Sequence, residues 1–230
     1  MKNNYPIIFG IGNPLIDVVI NATDEDIISL ELSKGTMALV DSKRQGEILN
    51  YYKEKETNYF PGGSAPNTLL ACSGLGINSH ISGKIGKDKL GEIYLERVRE
   101  YGTDSGIVLG EGPTGSSIIL VTPDGERTMN TNLGMCQKYA AEDIDEEKLS
   151  KAKFFYFTGY MWDTDSQKSA IKKAIQIAKE NNVKIVFDVA DPFAVNRNKD
   201  SFLQLIKHDI DILFANKSEL KILMDSEDLD

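Results

Sequence analysis

Two glycines and a polar cluster, Gly62-Gly63-Ser64-Ala65-Pro66-Asn67, stand between a strand-like run, Asn58-Tyr59-Phe60, and an apolar helical run. Glycine pairs let a backbone come close to a ligand because no Cβ intervenes. The helix that follows points its unpaired N–H groups, with Ser64 and Asn67, at whatever lies beyond its first turn. A second cluster, Gly10-Ile11-Gly12-Asn13-Pro14-Leu15-Ile16-Asp17, follows the first strand. Asn13 and Asp17 carry the donors and acceptors that grip a pair of sugar hydroxyls. Together the clusters read as one polyol-binding floor.

The elements that must position these groups alternate. Ile7-Ile8-Phe9, Phe154-Phe155-Tyr156-Phe157, Val183 to Val189 and Ile210 to Ala215 are short apolar runs bounded as buried strands are. Between them, Ala65, Leu69, Cys72 and Leu75 recur at helical spacing, as do Leu90, Ile93, Tyr94 and Val98 behind a capping Asp88. Ile171, Ala174, Ile175 and Ala178 form a further stripe, and Asn216 opens a last helix. This order predicts a mostly parallel sheet with helices on both faces. Met37-Ala38-Leu39-Val40, and Ser117–Val121 with Arg127–Asn130 around the turn Thr122-Pro123-Asp124-Gly125-Glu126, do not fit the alternation. They are expected to form a small β-sheet over the mouth of the main one, where such folds place ligands.

The 230 residues suffice for one sizeable α/β core, and no linker, repeat or low-complexity segment divides them. A net charge of −9 disfavours nucleic acid and anionic membrane as partners. It leaves a nucleotide substrate open, since local cations offset phosphate charge. Cys72 and Cys136 make no metal spacing, and Cys72 reads as a small core residue. The opening Met1-Lys2-Asn3-Asn4-Tyr5-Pro6 leads into too few apolar residues for a signal-peptide core, so a cytoplasmic protein is expected.

Plainer roles exist for each group. Gly10-x-Gly12 lacks the third glycine of a dinucleotide fingerprint, Leu15 standing there after Pro14, and no Walker A accompanies Gly83-Lys84. Asn13 and Asp17 alone suit a turn and a strand end, and Gly62-Gly63-Ser64 a helix entry. Asn216-Lys217-Ser218-Glu219 fits a capping box, and Arg127 a solvated hairpin. Asp188 and Asp191 suit a loop after a strand. His80 and His208 lack partners at ligand spacing.

The order of motifs resembles the ribokinase/PfkB family of sugar and nucleoside kinases, in its adenosine-kinase-like branch. The pieces are Phe9 to Asp17, Gly62 to Asn67, Gly83-Lys84-Ile85-Gly86-Lys87-Asp88-Lys89-Leu90-Gly91, Pro113-Thr114-Gly115, Thr122 to Thr128, and Asp211 to Glu219. The resemblance implies a ribokinase-like three-layer α/β/α sandwich, one incomplete domain over 1–230, with lid segments near 15–21, 35–41, 56–61 and 112–131. It implies ATP as donor, Mg2+, a nucleoside or sugar acceptor, and a monomer or homodimer. Asn13, Asp17, Gly62, Gly63, Ser64 and Asn67 would hold the acceptor hydroxyls, and Arg127 would reach the transferring phosphoryl. Asn216 and Glu219 would organise Mg2+ through water rather than ligate it. Leu133, Gly134, Tyr160, Met161 and Trp162 would lie near the base or pocket wall.

The family's Asp-Thr-x-Gly-Ala-Gly-Asp signature, which supplies the catalytic base and the anion hole, does not occur before Asp230. This chain is therefore expected to carry most of an acceptor site, half of a donor site and little kinase activity by itself, with a sheet edge uncovered. A sugar kinase of the ribose or fructose type, or a non-catalytic binding remnant, are the alternatives.

Overall fold

The structure, a computed structural model, describes residues 5–228; the reading of Met1–Asn4 and of the last two residues lies outside them. The first half of the chain runs β1 (Ile8–Ile11), β2 (Leu15–Asn21), α1 (Asp24–Ser29), β3 (Met37–Leu39), α2 (Ser42–Tyr51), β4 (Asn58–Gly62), α3 (Ser64–Gly74), β5 (Ser79–Gly86), α4 (Lys89–Glu100) and β6 (Asp104–Gly110). The second half runs β7 (Ser116–Val121), β8 (Arg127–Asn132), α5 (Glu146–Ser150), β9 (Phe154–Thr158), α6 (Asp165–Glu180), β10 (Lys184–Asp188), α7 (Pro192–His208), β11 (Ile212–Phe214) and α8 (Lys217–Met224).

Six strands form a parallel sheet in the order β11-β10-β9-β1-β5-β6. Alternating side chains divide it into two faces. Phe9, Ile11, Phe155, Phe157, Ile185 and Phe187 face one way, against α5 to α8. Ile81 and Tyr156 face the other, and α3 and α4 bring Leu69, Leu70, Tyr94 and Val98 onto that side. This is the three-layer α/β/α sandwich of the ribokinase-like fold. Asp88 caps α4 as its spacing predicts, accepting from Gly91 N at 2.9 Å. It also accepts from Thr114, at 2.7 Å from the main-chain N and 2.6 Å from Oγ1, pinning the loop before β7.

The second sheet has the order β3-β8-β7-β2-β4. Its Ile16, Val18, Ile20, Ile118 and Leu120 pack toward Ile48 and Tyr52 of the α2 region and toward α4. Period-two alternation then turns Asp17, Ser117, Ile119 and Met129 to the opposite side.

The α3 stripe differs from its expected phase. Its buried residues are Ala65, Pro66, Leu69 and Leu70; Cys72 is half-buried and Leu75 is 82% exposed. The reason lies in the sheet: α3 rests mainly on β1 and β5, and an open apolar groove remains beside it. Cys72, Phe154, Tyr156, Val186, Ile212 and Phe214 line that groove. Phe214 is 56% exposed on the edge strand β11. His80 is fully buried, stacked on Phe9 and bonded through Nδ1 to Asp104 at 2.7 Å, whereas His208 is exposed; neither adjoins the site.

Candidate active site

Between β1 and β2 the chain passes from the large sheet to the small one through Gly12-Asn13-Pro14. It returns from β4 through Gly63 into α3. Antiparallel pairing of β2 with β4 sets Leu15 opposite Gly62 and Asp17 opposite Phe60, so the two crossings meet. Gly63 caps α3 with φ of 95°, and a Cβ there would collide with the main-chain oxygen of Asn13. Conformation and space both demand glycine. At Gly62 a Cβ would stand 2.5 Å from Cγ of Asp17 and 2.8 Å from its Oδ2, so this glycine makes room for the carboxyl group.

A cavity of about 350 Å3 opens where the crossings meet. Asn13, Asp17, Gly63, Ser64, Asn67 and Arg127 line it together, although 114 residues separate the first from the last. Gly62 lies behind Asp17 instead of on the cavity surface. Met37, Leu39, Ile119, Met129, Leu133 and Tyr160 supply an apolar wall. The volume and the mix of apolar wall with a few polar groups suit a small organic ligand.

The expected wall residues divide. Leu133 and Tyr160 line the cavity; Met161 is fully buried and Trp162 nearly so, in the core beneath α6 and α7. Gly134 sits at a tight turn with φ of 49°, where a Cβ would crowd the Pro113-Thr114-Gly115 backbone. In the 3-10 turn Gly159–Trp162 successive side chains diverge, so three adjacent aromatic or apolar residues cannot share one surface.

Burial is the dominant influence on Asp17 and lifts its carboxyl from 3.8 to about 6, with Arg127 across the cavity opposing the rise. Asn13 is nearly buried, and its Oδ1 accepts from Gln167 Nε2 at 2.7 Å. Gln167 belongs to α6, and sequence spacing gave no hint of this contact, because Thr164-Asp165-Ser166-Gln167 looks like an ordinary helix start.

Asn216 and Glu219 do not line this cavity. They form a reciprocal capping box on α8: Glu219 N donates to Asn216 Oδ1 at 3.0 Å, and Asn216 donates to Glu219 through N and Nδ2, both at 2.7 Å. Glu219 is buried, and burial first, with Asp188 and Asp191 adding to it, holds its carboxyl above the usual range against the Asn216 N–H. Asp191 caps α7 and Asp188 accepts from Ala190 N at 2.9 Å, so both are structured loop carboxylates. Tyr160 links the two regions: it lines the cavity, and burial and Asp191 together push its phenol up. Among the described residues no group of three or more His, Cys, Asp or Glu side chains is placed to hold a metal ion. Both Glu219 carboxylate oxygens accept from Asn216.

The model of the "pfkB family carbohydrate kinase" family matches residues 38–230. The fold is similar to that of adenosine kinase from Sinorhizobium meliloti, with a TM-score of 0.90 and 34% identity, covering 98% of this chain and 69% of that one. It is equally similar to a probable sugar kinase from Rhizobium etli CFN 42, with a TM-score of 0.90 and 32% identity, covering 97% of this chain and 68% of that one. In sequence it is 29% identical over 229 residues to adenosine kinase of Saccharomyces cerevisiae, covering 96% of this chain and 66% of that protein. The chain thus spans just under two thirds of this curated relative.

Proposed function

Because this chain belongs to the pfkB family of carbohydrate kinases, we propose that it holds the ribose of a nucleoside for phosphoryl transfer from ATP to the 5′-hydroxyl. The observation that carries the reading is the meeting of Asn13, Asp17, Gly63, Ser64, Asn67 and Arg127 around one cavity. In this reading the Asp17 carboxylate accepts from a ribose hydroxyl, and Gly63 lets the sugar lie against the backbone. Ser64 and Asn67, on the first turn of α3, complete the floor. Phosphoryl transfer depends on positioning and on neutralising charge. Arg127, on the strand opposite, supplies a cation beside the cavity that can meet the phosphoryl group.

ATP and Mg2+ belong to the reading as donor and cofactor, with Asn216 and Glu219 ordering water around the cation. The small sheet would act as the lid that excludes bulk water during transfer. We assign nucleoside binding to this cavity, with phosphoryl transfer as the reaction it serves.

A sugar kinase is the second reading, favoured by the Rhizobium etli likeness. The apolar wall of Met37, Leu39, Ile119, Met129, Leu133 and Tyr160 speaks for a nucleoside, since a bare sugar offers no flat apolar face to cover it. Calorimetric titration of the chain with adenosine, inosine, ribose and fructose, beside a phosphoryl-transfer assay with ATP, tests the proposal. Binding of a nucleoside at least tenfold tighter than of either sugar is expected. Tighter binding of ribose or fructose would overturn it in favour of the sugar kinase.

A further inference from the structure

Gln167 is fully buried, and its side-chain nitrogen is committed inside the protein. Its Nε2 donates to the main-chain oxygen of Cys136 at 2.9 Å and to Asn13 Oδ1 at 2.7 Å. The single Thr164 hydroxyl proton is shared between Gln167 Oε1 at 3.1 Å and the Gln137 carbonyl at 3.2 Å. These contacts fix both amides without ambiguity. A main-chain carbonyl only accepts, so the Gln167 atom facing Cys136 must be the nitrogen. That same nitrogen faces Asn13, so the Asn13 atom turned inward must be the oxygen. No hydrogen bond runs from Asn13 Nδ2 to another described residue, and Asn13 lines the cavity.

The arrangement departs from local habit. Thr164 and Gln167 have the spacing of a capping box, in which the glutamine side chain reaches back to the N-cap N–H. Here Thr164 Oγ1 accepts from Gln167 N at 3.3 Å, yet the Gln167 side chain turns inward to Asn13, 154 residues away. A polar side chain diverted from a local role into the interior, and fully satisfied there, marks a place where local preference yields to a site.

We propose that Gln167 is a positioning residue that locks Asn13 as a hydrogen-bond donor into the cavity, and so sets which ligand hydroxyl the site demands. This deepens the nucleoside reading and rests on it. Asp17, when ionised, only accepts, and the locked Asn13 amide only donates toward the cavity. One hydroxyl of a vicinal diol can give its proton to Asp17 while the other receives from Asn13. A ligand lacking the hydroxyl that faces Asn13 leaves a nearly buried N–H unpartnered, which is the strong form of discrimination.

Calorimetric titration with adenosine, 2′-deoxyadenosine and 3′-deoxyadenosine tests this on the wild-type chain, Gln167→Met and Asn13→Asp, with thermal unfolding of each. The wild type should prefer adenosine about tenfold or more over the deoxynucleoside missing the Asn13-facing hydroxyl. Gln167→Met frees the Asn13 amide to rotate. Adenosine should weaken about tenfold while that deoxynucleoside changes by less than about threefold, so the ratio collapses. A packing role alone would weaken all three ligands together, and that result overturns the inference. Asn13→Asp, titrated at pH 8 where the new carboxyl is ionised, keeps the acceptor for Gln167 and removes the donor to the cavity. It should lower the unfolding temperature through carboxylate burial and lose adenosine affinity, and retained affinity at pH 8 overturns the donor assignment even if Gln167→Met fails to fold. Failure of wild type to bind any nucleoside would instead refute the reading beneath.

Discussion

Asp17→Asn should make the protein more stable above pH 7 and a worse binder at the same time. Burial lifts the Asp17 carboxyl from 3.8 to about 6, so the folded state holds its proton more tightly than the unfolded chain does. The sign follows from that inequality. Folding takes up a proton between about pH 4 and pH 6, stability falls across that window as pH rises, and the deficit is constant above it. At about 1.4 kcal/mol per pH unit the ceiling on the deficit is ~3 kcal/mol. Because one side of the carboxyl faces the open cavity, water relieves part of it, and a gain of about 1–2 kcal/mol is expected for the asparagine variant. Urea unfolding of both proteins at pH 5 and pH 8 gives the number. The gain should be present at pH 8 and should shrink at pH 5. Loss of a charged acceptor should weaken adenosine by about 10- to 150-fold, read by calorimetry. An asparagine variant less stable than wild type at pH 8 would show that the carboxylate is held by favourable contacts, and the burial argument would fail.

Four further outcomes are expected. Adenosine affinity should fall about tenfold as pH is lowered from 7 to 5, because a carboxyl near 6 passes from mostly ionised to mostly neutral across that range; a flat profile would remove Asp17 from the ligand. Gly62→Ala puts a Cβ 2.5 Å from Asp17 Cγ and should cost at least tenfold in adenosine affinity by calorimetry with little change in thermal unfolding. Asp88→Ala breaks the cap of α4 and both bonds to Thr114, so urea unfolding should show a loss of about 1–3 kcal/mol with adenosine affinity unchanged. Phe214→Ser removes an exposed aromatic from the open groove, and sedimentation should show less concentration-dependent association than wild type.

Much of the fold is legible because its central parallel strands β1 and β9 are largely buried on both faces and read as apolar runs. Phe154 to Phe157 and Asp88 before α4 are examples in which local chemistry and tertiary role agree. The site floor was legible for a different reason: glycine at 62 and 63 is dictated by contacts to Asp17 and Asn13, so residue type records a long-range meeting. The phase of α3 was not legible. Which of its faces is buried depends on which strands lie beneath it, and the groove beside Cys72 leaves one flank open. Trp162 and Met161 lie in the core and not on the expected cavity wall, because adjacency in sequence says nothing about divergence in a 3-10 turn. The role of Gln167 is not legible in the sequence, because its partner is 154 residues distant and its spacing from Thr164 already has a local explanation. Asn216 and Glu219 carry two readings at once, and the capping box they form is the one their contacts display.

The proposed function requires the crossings at Asn13–Asp17 and Gly62–Asn67 to cradle a vicinal diol. A crystal structure of the chain with adenosine tests it most directly. The ribose should lie between the two crossings, one hydroxyl against the Asp17 carboxylate and the other against Asn13 Nδ2, with the base on Leu133 and Tyr160. Adenosine lodged elsewhere, or ribose hydroxyls turned to solvent in this cavity, would contradict it.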